Sequence, residues 1–210
     1  TLLIVGPEKP LVDGIVDFFK NTNIKIFGPN KTASQLEGSK IFTKKLCKKY
    51  NIPTSKFEIF NNKDEAIKYL DKSKYPIVIK ADGLASGKGV YICKSNNEAK
   101  NAVSEIFDGK FGKADCVLVE EFLNGEEMSY FIISDGKEYK SFQTAQDHKR
   151  VAEGDTGPNT GGMGSYSPSR LSNKNLEAKI NKKIIEPTLA GLKKLNTEYV
   201  GFLYVGLMIS

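Results

Sequence analysis

The chain has no tryptophan, a single histidine, three cysteines and no apolar run approaching the ~20 residues that a membrane span requires. Each shortage removes a class of explanation. With His148 alone, no zinc cluster of the His/Cys type is available. Cys47, Cys93 and Cys116 are odd in number and widely spaced, so reduced thiols in a cytoplasmic protein are expected rather than a disulfide framework. Leu2 to Val5 is too short for the apolar part of a signal peptide and lacks a basic leader. The net charge of +6 comes from lysines spread along the chain, without the aromatic interleaving that binds single-stranded nucleic acid. Solvated lysine faces, with a few lysines meeting phosphates, are the expected use of that charge, and nucleic acid is not an expected partner.

What is present fits a globular protein: 210 residues, 40% hydrophobic and 27% charged, enough for one or two domains with real cores. The chain opens on the apolar strand Leu2 to Val5 and stops inside another, Phe202 to Ile209. Strands of that kind need partners to cover them, so a segment of a longer enzyme, truncated at both ends, is expected.

The most informative stretch runs from Pro76 to Val90. Ile77, Val78 and Ile79 suit a buried strand ending at Lys80, and a loop with Gly83, Gly87 and Gly89 follows. Glycine takes positive φ without steric cost, so the loop can turn its N–H groups toward one concavity that holds phosphate oxygens, bracketed by Lys80 and Lys88. It is not a Walker A loop. Three residues separate Gly83 from Gly87 where that motif needs four, and Gly89 stands where a metal-binding hydroxyl belongs. Val90 to Cys93 reads as a second strand, giving strand, glycine loop, strand: either a flap over a nucleotide or an ordinary surface hairpin.

Before this stretch, Leu2 to Val5, a helix through Leu11 to Phe19 and Ile24 to Phe27 make a β-α-β unit with parallel strands. A helix is expected over Thr32 to Tyr50, with Lys40, Lys44 and Lys48 aligned on one side and mostly solvated. Lys40 stands apart because it follows the small-residue bend Gly38-Ser39. Asn62 marks a helix start running to Leu70, and a further helix covers Asn97 to Phe107. Residues 57–123 form an α/β packet small enough to swing as a lid.

After the strand Val117 to Val119, Glu120-Glu121-Phe122-Leu123 offers either a wall and main-chain groups for a base or simply a charged hairpin rim; Glu127 follows shortly. Ser129 to Phe142 reads as a hairpin with a type I′ turn at Asp135-Gly136. Residues 153–166 carry little secondary-structure signal and are either functional when ordered or disordered. Arg150 has the planar fork for a phosphate or carboxylate, and Gly161, Gly162 and Gly164 can cup an anion. His148 is a general base or an ordinary charged-loop residue. Ile180 to Leu195 is helical with an interruption at Pro187, and Tyr199 to Ser210 is a core strand.

Gly38-Ser39-Lys40, Ile77 to Gly89, Val119 to Leu123, Gln146 to Arg150, Asp155 to Gly164 and Gly201 to Tyr204 together closely resemble the phosphoribosylamine–glycine ligase family of ATP-grasp enzymes, over essentially the whole chain. The resemblance implies an α/β fold of the α+β ATP-grasp kind. Residues 1–29 would be the tail of an N-terminal Rossmann-like parallel domain, 30–56 a linking helix, 57–123 the lid and 124–210 the first part of the larger ATP-grasp subdomain. It implies ATP contacts from Lys40, Lys80, Gly83, Gly87, Lys88, Gly89, Glu120, Glu121, Phe122, Leu123 and Glu127. It implies contacts to glycine and 5-phosphoribosylamine from Asp147, His148, Lys149, Arg150, Asn159, Thr160, Gly161, Gly162, Met163 and Gly164, with Lys80 and Arg150 catalytic. Mg²⁺ or Mn²⁺ would accompany ATP; the sequence leaves the oligomeric state open, a monomer being the expectation.

Two of the family's features are absent: its opening Gly-rich strand-loop, and the acidic Glu-Phe-Asn type segment that binds metal. No metal ligand is therefore assigned, metal ligands are expected beyond Ser210, and the segment alone is expected to be inert. Another ATP-grasp carboxylate–amine ligase, and a non-catalytic nucleotide- or nucleic-acid-binding module, remain as alternatives.

Overall fold

The computed structural model describes residues 1–84, 89–112, 114–154 and 156–210. Strands β1 (Leu2–Ile4) and β2 (Lys25–Phe27) pair in parallel, Leu2 opposite Lys25, across helices α1 (Glu8–Asp13) and α2 (Ile15–Phe19). One helix is expected here; Gly14, at a φ of 98°, divides it in two. The helix expected over 32–50 is likewise two, α3 (Gln35–Gly38) and α4 (Lys40–Tyr50). Ser39 separates them in extended conformation, and its Oγ accepts the Phe42 N–H at 3.1 Å, the signature of an N-cap.

The next four strands, β3 (Phe57–Phe60), β4 (Ile77–Ala81), β5 (Val90–Cys93) and β6 (Val117–Glu121), form an antiparallel sheet in the order β3-β6-β4-β5. Helices α5 (Lys63–Leu70), capped by Asn62 Oδ1, and α6 (Asn96–Phe107) cover one face. Their Leu70, Val103 and Ile106 bury Ile77, Ile79, Val117 and Val119. Strand alternation then fixes the other face: Val78 and Lys80 of β4, and Leu118 and Glu120 of β6, point away from the helices.

A hairpin of β7 (Glu126–Asp135) and β8 (Tyr139–Ser141) begins the second half. Its turn is not type I′, which needs positive φ at both central residues. Of Gly136 and Lys137 only the glycine has it, at 93°, and Asp135 Oδ1 accepts the N–H groups of Lys137 and Glu138 at 2.8 Å each. Two short strands, β9 (Gln146–Asp147) and β10 (Arg150–Ala152), precede the low-signal stretch 153–166, which itself contains β11 (Thr156–Asn159) and β12 (Ser165–Tyr166), paired β12 with β9 and β11 with β10. Strands of two to four residues are too short to display a period, which is why they escape a pattern reading.

Helices α7 (Lys174–Ile180) and α8 (Glu186–Lys194) are joined by a π-helical turn, Asn181–Ile185, just ahead of Pro187, whose missing N–H removes a helical hydrogen bond. They pack Ile180, Ile185 and Leu192 against Met128, Tyr130 and Ile132 of β7 and Leu46 of α4. The last strand, β13 (Val200–Ile209), pairs with β7 over all ten residues. Only one of its faces is core: Leu203 is buried, while Phe202 and Tyr204 are each 50% exposed.

Gly125 stands immediately before β7, with its α-carbon against the far end of β13. A Cβ there would lie 2.4 Å from the Ile209 carbonyl oxygen, backbone that has no rotamer to yield. Gly125→Ala in the full-length protein is expected to lower the unfolding free energy by about 1–3 kcal/mol, read from urea denaturation. An unchanged midpoint would show that the two strand ends are not held this closely.

Candidate active site

Lys80 and Glu120 lie on the helix-free face of the four-stranded sheet, on adjacent strands and diagonal to each other. Glu120 is 4% exposed, and its Oε2 is the meeting point of three groups. Lys80 Nζ donates to it at 3.1 Å, Ser55 Oγ donates at 2.6 Å, and Lys44 Nζ stands 3.1 Å away as an ion pair. Burial by itself pushes the Glu120 carboxyl up, but Lys80, the Ser55 hydroxyl and Lys44 outweigh it and hold the group below its ordinary value of 4.5. Lys44 is pulled the other way: burial, reinforced by repulsion from Lys80, outweighs the attraction of Glu120 and lowers its affinity for a proton. Two ammonium groups against one carboxylate leave a net positive charge in a desolvated place, which favours an incoming anion.

Lys40 extends this charge. It opens α4, and its Nζ donates to the Gly83 carbonyl at 2.8 Å, so it reaches the start of the glycine loop. Burial lowers its proton affinity, partly offset by Asp82. Asp82 itself accepts from Ser39 Oγ at 2.9 Å and from the Ile41 N–H at 3.2 Å. A carboxylate is thus seated at the N-terminus of α4, where the helix dipole favours it.

Two cavities share the Lys80–Glu120–Lys44 wall. One, of about 550 Å³, lies between the two larger sheets, with Leu123, Glu127, Asp147 and Lys149 among its lining residues. The other, of about 640 Å³, is bounded by Lys40, Gly83, Gly89 and Glu37. Burial, aided by Glu8, raises the Glu37 carboxyl despite Lys40 nearby. Both volumes suit a nucleotide-sized ligand.

A third cavity, of about 450 Å³, collects Phe122, Glu127, Asp147, His148, Lys149 and Arg150. Lys149 Nζ donates to Glu127 Oε2 at 2.7 Å; burial lowers the proton affinity of Lys149, but this contact more than restores it. The glycine-rich segment folds back on the same place. The Thr160 N–H donates to the Lys149 carbonyl at 2.6 Å, the Met163 N–H to the His148 carbonyl at 2.7 Å, and the His148 N–H to the Gly164 carbonyl at 2.9 Å. The His148 ring stacks on Tyr166, with centroids 5.7 Å apart. Arg150 Nη1 donates to the Gly157 carbonyl at 3.3 Å, and its backbone pairs with Asn159.

The residues expected at the site therefore converge for the most part. Glu121 does not: its Oε1 accepts the Lys56 N–H at 2.8 Å, bracing the start of β3 away from the cavities. Gly161, Gly162, Met163 and Gly164 are exposed, and Met163 presents 60% of its surface to solvent. Gly87, Lys88 and the side chain of Asn159 lie outside the described residues. One expectation is overturned. Lys44, read as a solvated lysine, is 8% exposed and sits in the charge cluster. Its spacing one turn beyond Lys40 was the available signal, and its neighbours Lys45, Lys48 and Lys49 masked it. Thr54 and Ser55 were also missed, because they follow a helix break and carry no motif.

Comparison with known proteins decides the family. Residues 38–210 match the family model described as phosphoribosylglycinamide synthetase, ATP-grasp (A) domain, and residues 1–37 match the N domain of the same synthetase. The chain belongs to the phosphoribosylglycinamide synthetase family. Among synthetases of this family, it is 51% identical to the phosphoribosylamine–glycine ligase of Mesorhizobium japonicum over 210 residues, all of this chain and 49% of that protein. It is 50% identical to the chloroplastic enzyme of Arabidopsis thaliana, covering 99% of this chain and 40% of the other. The chain spans about half the length of the curated relatives it matches.

The crystal structure of the Thermotoga maritima phosphoribosylamine–glycine ligase superimposes with a TM-score of 0.85 at 36% identity, over 99% of this chain and 51% of that one. A carboxyaminoimidazole ribonucleotide synthase from Aspergillus clavatus, complexed with ATP, shares the fold at 17% identity and a TM-score of 0.71, over 99% of this chain and 49% of the other.

The Glu120 cluster sets a pH dependence in the synthetase chain. Since the folded carboxyl binds its proton less tightly than its ordinary 4.5, its contribution is fully present above that value and is lost as pH falls through the lower folded value. In the full-length protein, Glu120→Gln is expected to cost about 3–5 kcal/mol near neutrality, because it strands two ammonium groups. Urea unfolding is expected to show the gap between wild type and variant narrowing as the pH is taken below the carboxyl's ordinary 4.5. A gap independent of pH would mean that Glu120 is not the titrating group.

Proposed function

We propose that the full-length protein joins glycine to 5-phosphoribosylamine at the expense of ATP, giving glycinamide ribonucleotide, ADP and phosphate. The observation that carries the reading is the net positive cluster of Lys80, Lys44 and Glu120 at the wall of nucleotide-sized cavities, in a chain of this family. The family implies ATP and a divalent metal, for which we take Mg²⁺ or Mn²⁺. Among the described residues no three His, Cys, Asp or Glu side chains are grouped to hold such an ion. No ligand is assigned to the ion, and no step below runs through it.

In this reading Lys80 and Lys40 meet the phosphates of ATP from two sides. The backbone at Gly83 and Gly89 covers them, and Glu127 accepts from the ribose hydroxyls. Glu120 Oε1 is buried and, among the described residues, has no hydrogen-bond partner. It is placed to accept from the exocyclic amine of adenine, with Phe122 and Leu123 alongside the ring. Asp147, His148, Lys149 and Arg150, with the 159–164 segment folded against them, hold glycine and phosphoribosylamine.

The chemistry follows in two displacements. A carboxylate oxygen of glycine attacks the γ-phosphorus and the bond to ADP breaks, leaving glycyl phosphate; the ammonium groups offset the charge that builds on the transferred oxygens. The amine nitrogen of phosphoribosylamine then attacks the acyl carbon, phosphate departs and the nitrogen gives up a proton. An acyl phosphate hydrolyses in water, so cover from the 57–123 packet, which we read as a lid, serves the reaction directly.

No helix among the described residues is long and apolar enough to cross a membrane, and the three thiols are free. From the purine chemistry of its family we place the enzyme in the cytoplasm, acting on small molecules, and we take it to be a monomer. Lys80→Ala in the full-length enzyme is expected to reduce kcat/KM at least about a hundredfold in a phosphate-release assay with ATP, glycine and phosphoribosylamine. Near-normal rates would remove Lys80 from its role, and phosphate release only with another carboxylate–amine pair would replace the substrates.

A further inference from the structure

Lys44 and Lys80 flank one carboxylate and Lys40 stands farther along the same cavity wall, but the donors of the three are not equally engaged. An ammonium has three N–H groups to give. Lys80 Nζ spends one on Glu120 Oε2, and Lys40 Nζ spends one on the Gly83 carbonyl. Lys44 Nζ, by contrast, faces three protein oxygens: Thr54 Oγ1 and Ser55 Oγ, each accepting at 2.7 Å, and Glu120 Oε2 at 3.1 Å. It also lies over the Phe57 ring, 5.4 Å from its centre. Lys44 therefore has no donor to spare for a ligand, whereas Lys80 and Lys40 do.

The carboxylate shows the complementary asymmetry. Oε2 serves both lysines and the Ser55 hydroxyl, so a ligand that draws Lys80 away takes from Glu120 one of two countercharges. Were Lys80 the sole countercharge, its departure toward phosphate would strand a buried anion, and the lysine would be held back by that penalty. With Lys44 fixed in place by two hydroxyls, the anion stays compensated whichever way Lys80 points.

Resting on the ATP reading above, we infer that Lys44 is a positioning residue: it acts as the permanent countercharge of Glu120, so that Lys80 is free to exchange its carboxylate for a nucleotide phosphate. Lys44 itself touches no phosphate. Its influence on the reaction passes through Glu120.

This arrangement makes a sign prediction that a direct phosphate contact does not share. In Lys44→Met, Lys80 becomes the only cation on Glu120 and is retained there, so ATP binding to the full-length protein weakens by at least about tenfold. Adding Glu120→Gln to that variant releases Lys80 while keeping a carbonyl acceptor at the same place. The double variant is expected to bind ATP more tightly than Lys44→Met alone, a coupling read as a double-mutant cycle. Calorimetric titration with ATP, on protein verified as folded by circular dichroism, supplies the four constants, and steady-state KM for ATP against kcat supplies a second set.

Recovery in the double variant supports the inference. Losses that add, with the double variant weakest, identify Lys44 as a phosphate contact and overturn it, as does a Lys44→Met variant that binds ATP like wild type. If Lys44→Met does not fold, Thr54→Val, which loosens the ammonium but keeps its charge, is expected to weaken ATP binding about threefold, a loss again relieved by Glu120→Gln. Absence of relief there overturns the inference equally. Wild-type protein that takes up no ATP would instead sink the nucleotide reading itself, a result separate from any comparison among the variants.

Discussion

Taking a carboxylate out of water costs several kcal/mol unless opposite charge and hydrogen bonds are returned to it. At Glu120 that return comes from separate parts of the chain: Lys80 on the adjacent strand, Lys44 on α4 and Ser55 on the segment between α4 and β3. None of these elements is free to drift without stranding a charge, so the cluster ties the four-stranded sheet to the helix that precedes it. Asp82 adds a second tie from the end of the same strand to the first turn of α4. The charge excess that makes the place attractive to an anion is thus also what holds its walls in register.

The two strands at 77–81 and 90–93 were legible because runs of β-branched residues speak through local physics alone. So was the helix cap at Asn62, where a short polar side chain meets the N–H groups of the first turn. Lys44 was not legible. Its burial depends on Glu120, 76 positions later, and a helical wheel treats any lysine as a candidate for solvent. Ser39 was legible only in part: the small-residue bend at Gly38-Ser39 was read inside a single helix over 32–50, whereas the helix ends there and the extended conformation of Ser39 lets its hydroxyl cap α4 and meet Asp82. Glu121 beside Glu120 was assigned alike, but neighbouring strand residues point to opposite faces, and only one of them can reach the cavities.

The glycine-rich run near residue 160 shows why low pattern content is not low structure. Its order comes from main-chain bonds to Lys149 and His148 and from the hydroxyl of Thr160, which donates to the Lys149 carbonyl and accepts the Gly162 N–H. Such contacts depend on carbonyl positions set by another strand, and side-chain type reveals little of them. The segment with the least apolar content is accordingly held by hydrogen bonds where the sheets are held by burial.

The uninterrupted ten-residue pairing of β7 with β13 sets Glu127 against Met208 and Met128 against Leu207. Because faces alternate strictly, inserting or deleting a single residue within either strand would exchange the Glu127–Met208 side of the sheet for the Met128–Leu207 side. Length variation inside this ribbon is therefore tolerated only in pairs, or with a bulge that absorbs the odd residue. Among descendants of such a chain, drift in loop length is free to accumulate at Asp135–Glu138, while these two strands keep their count.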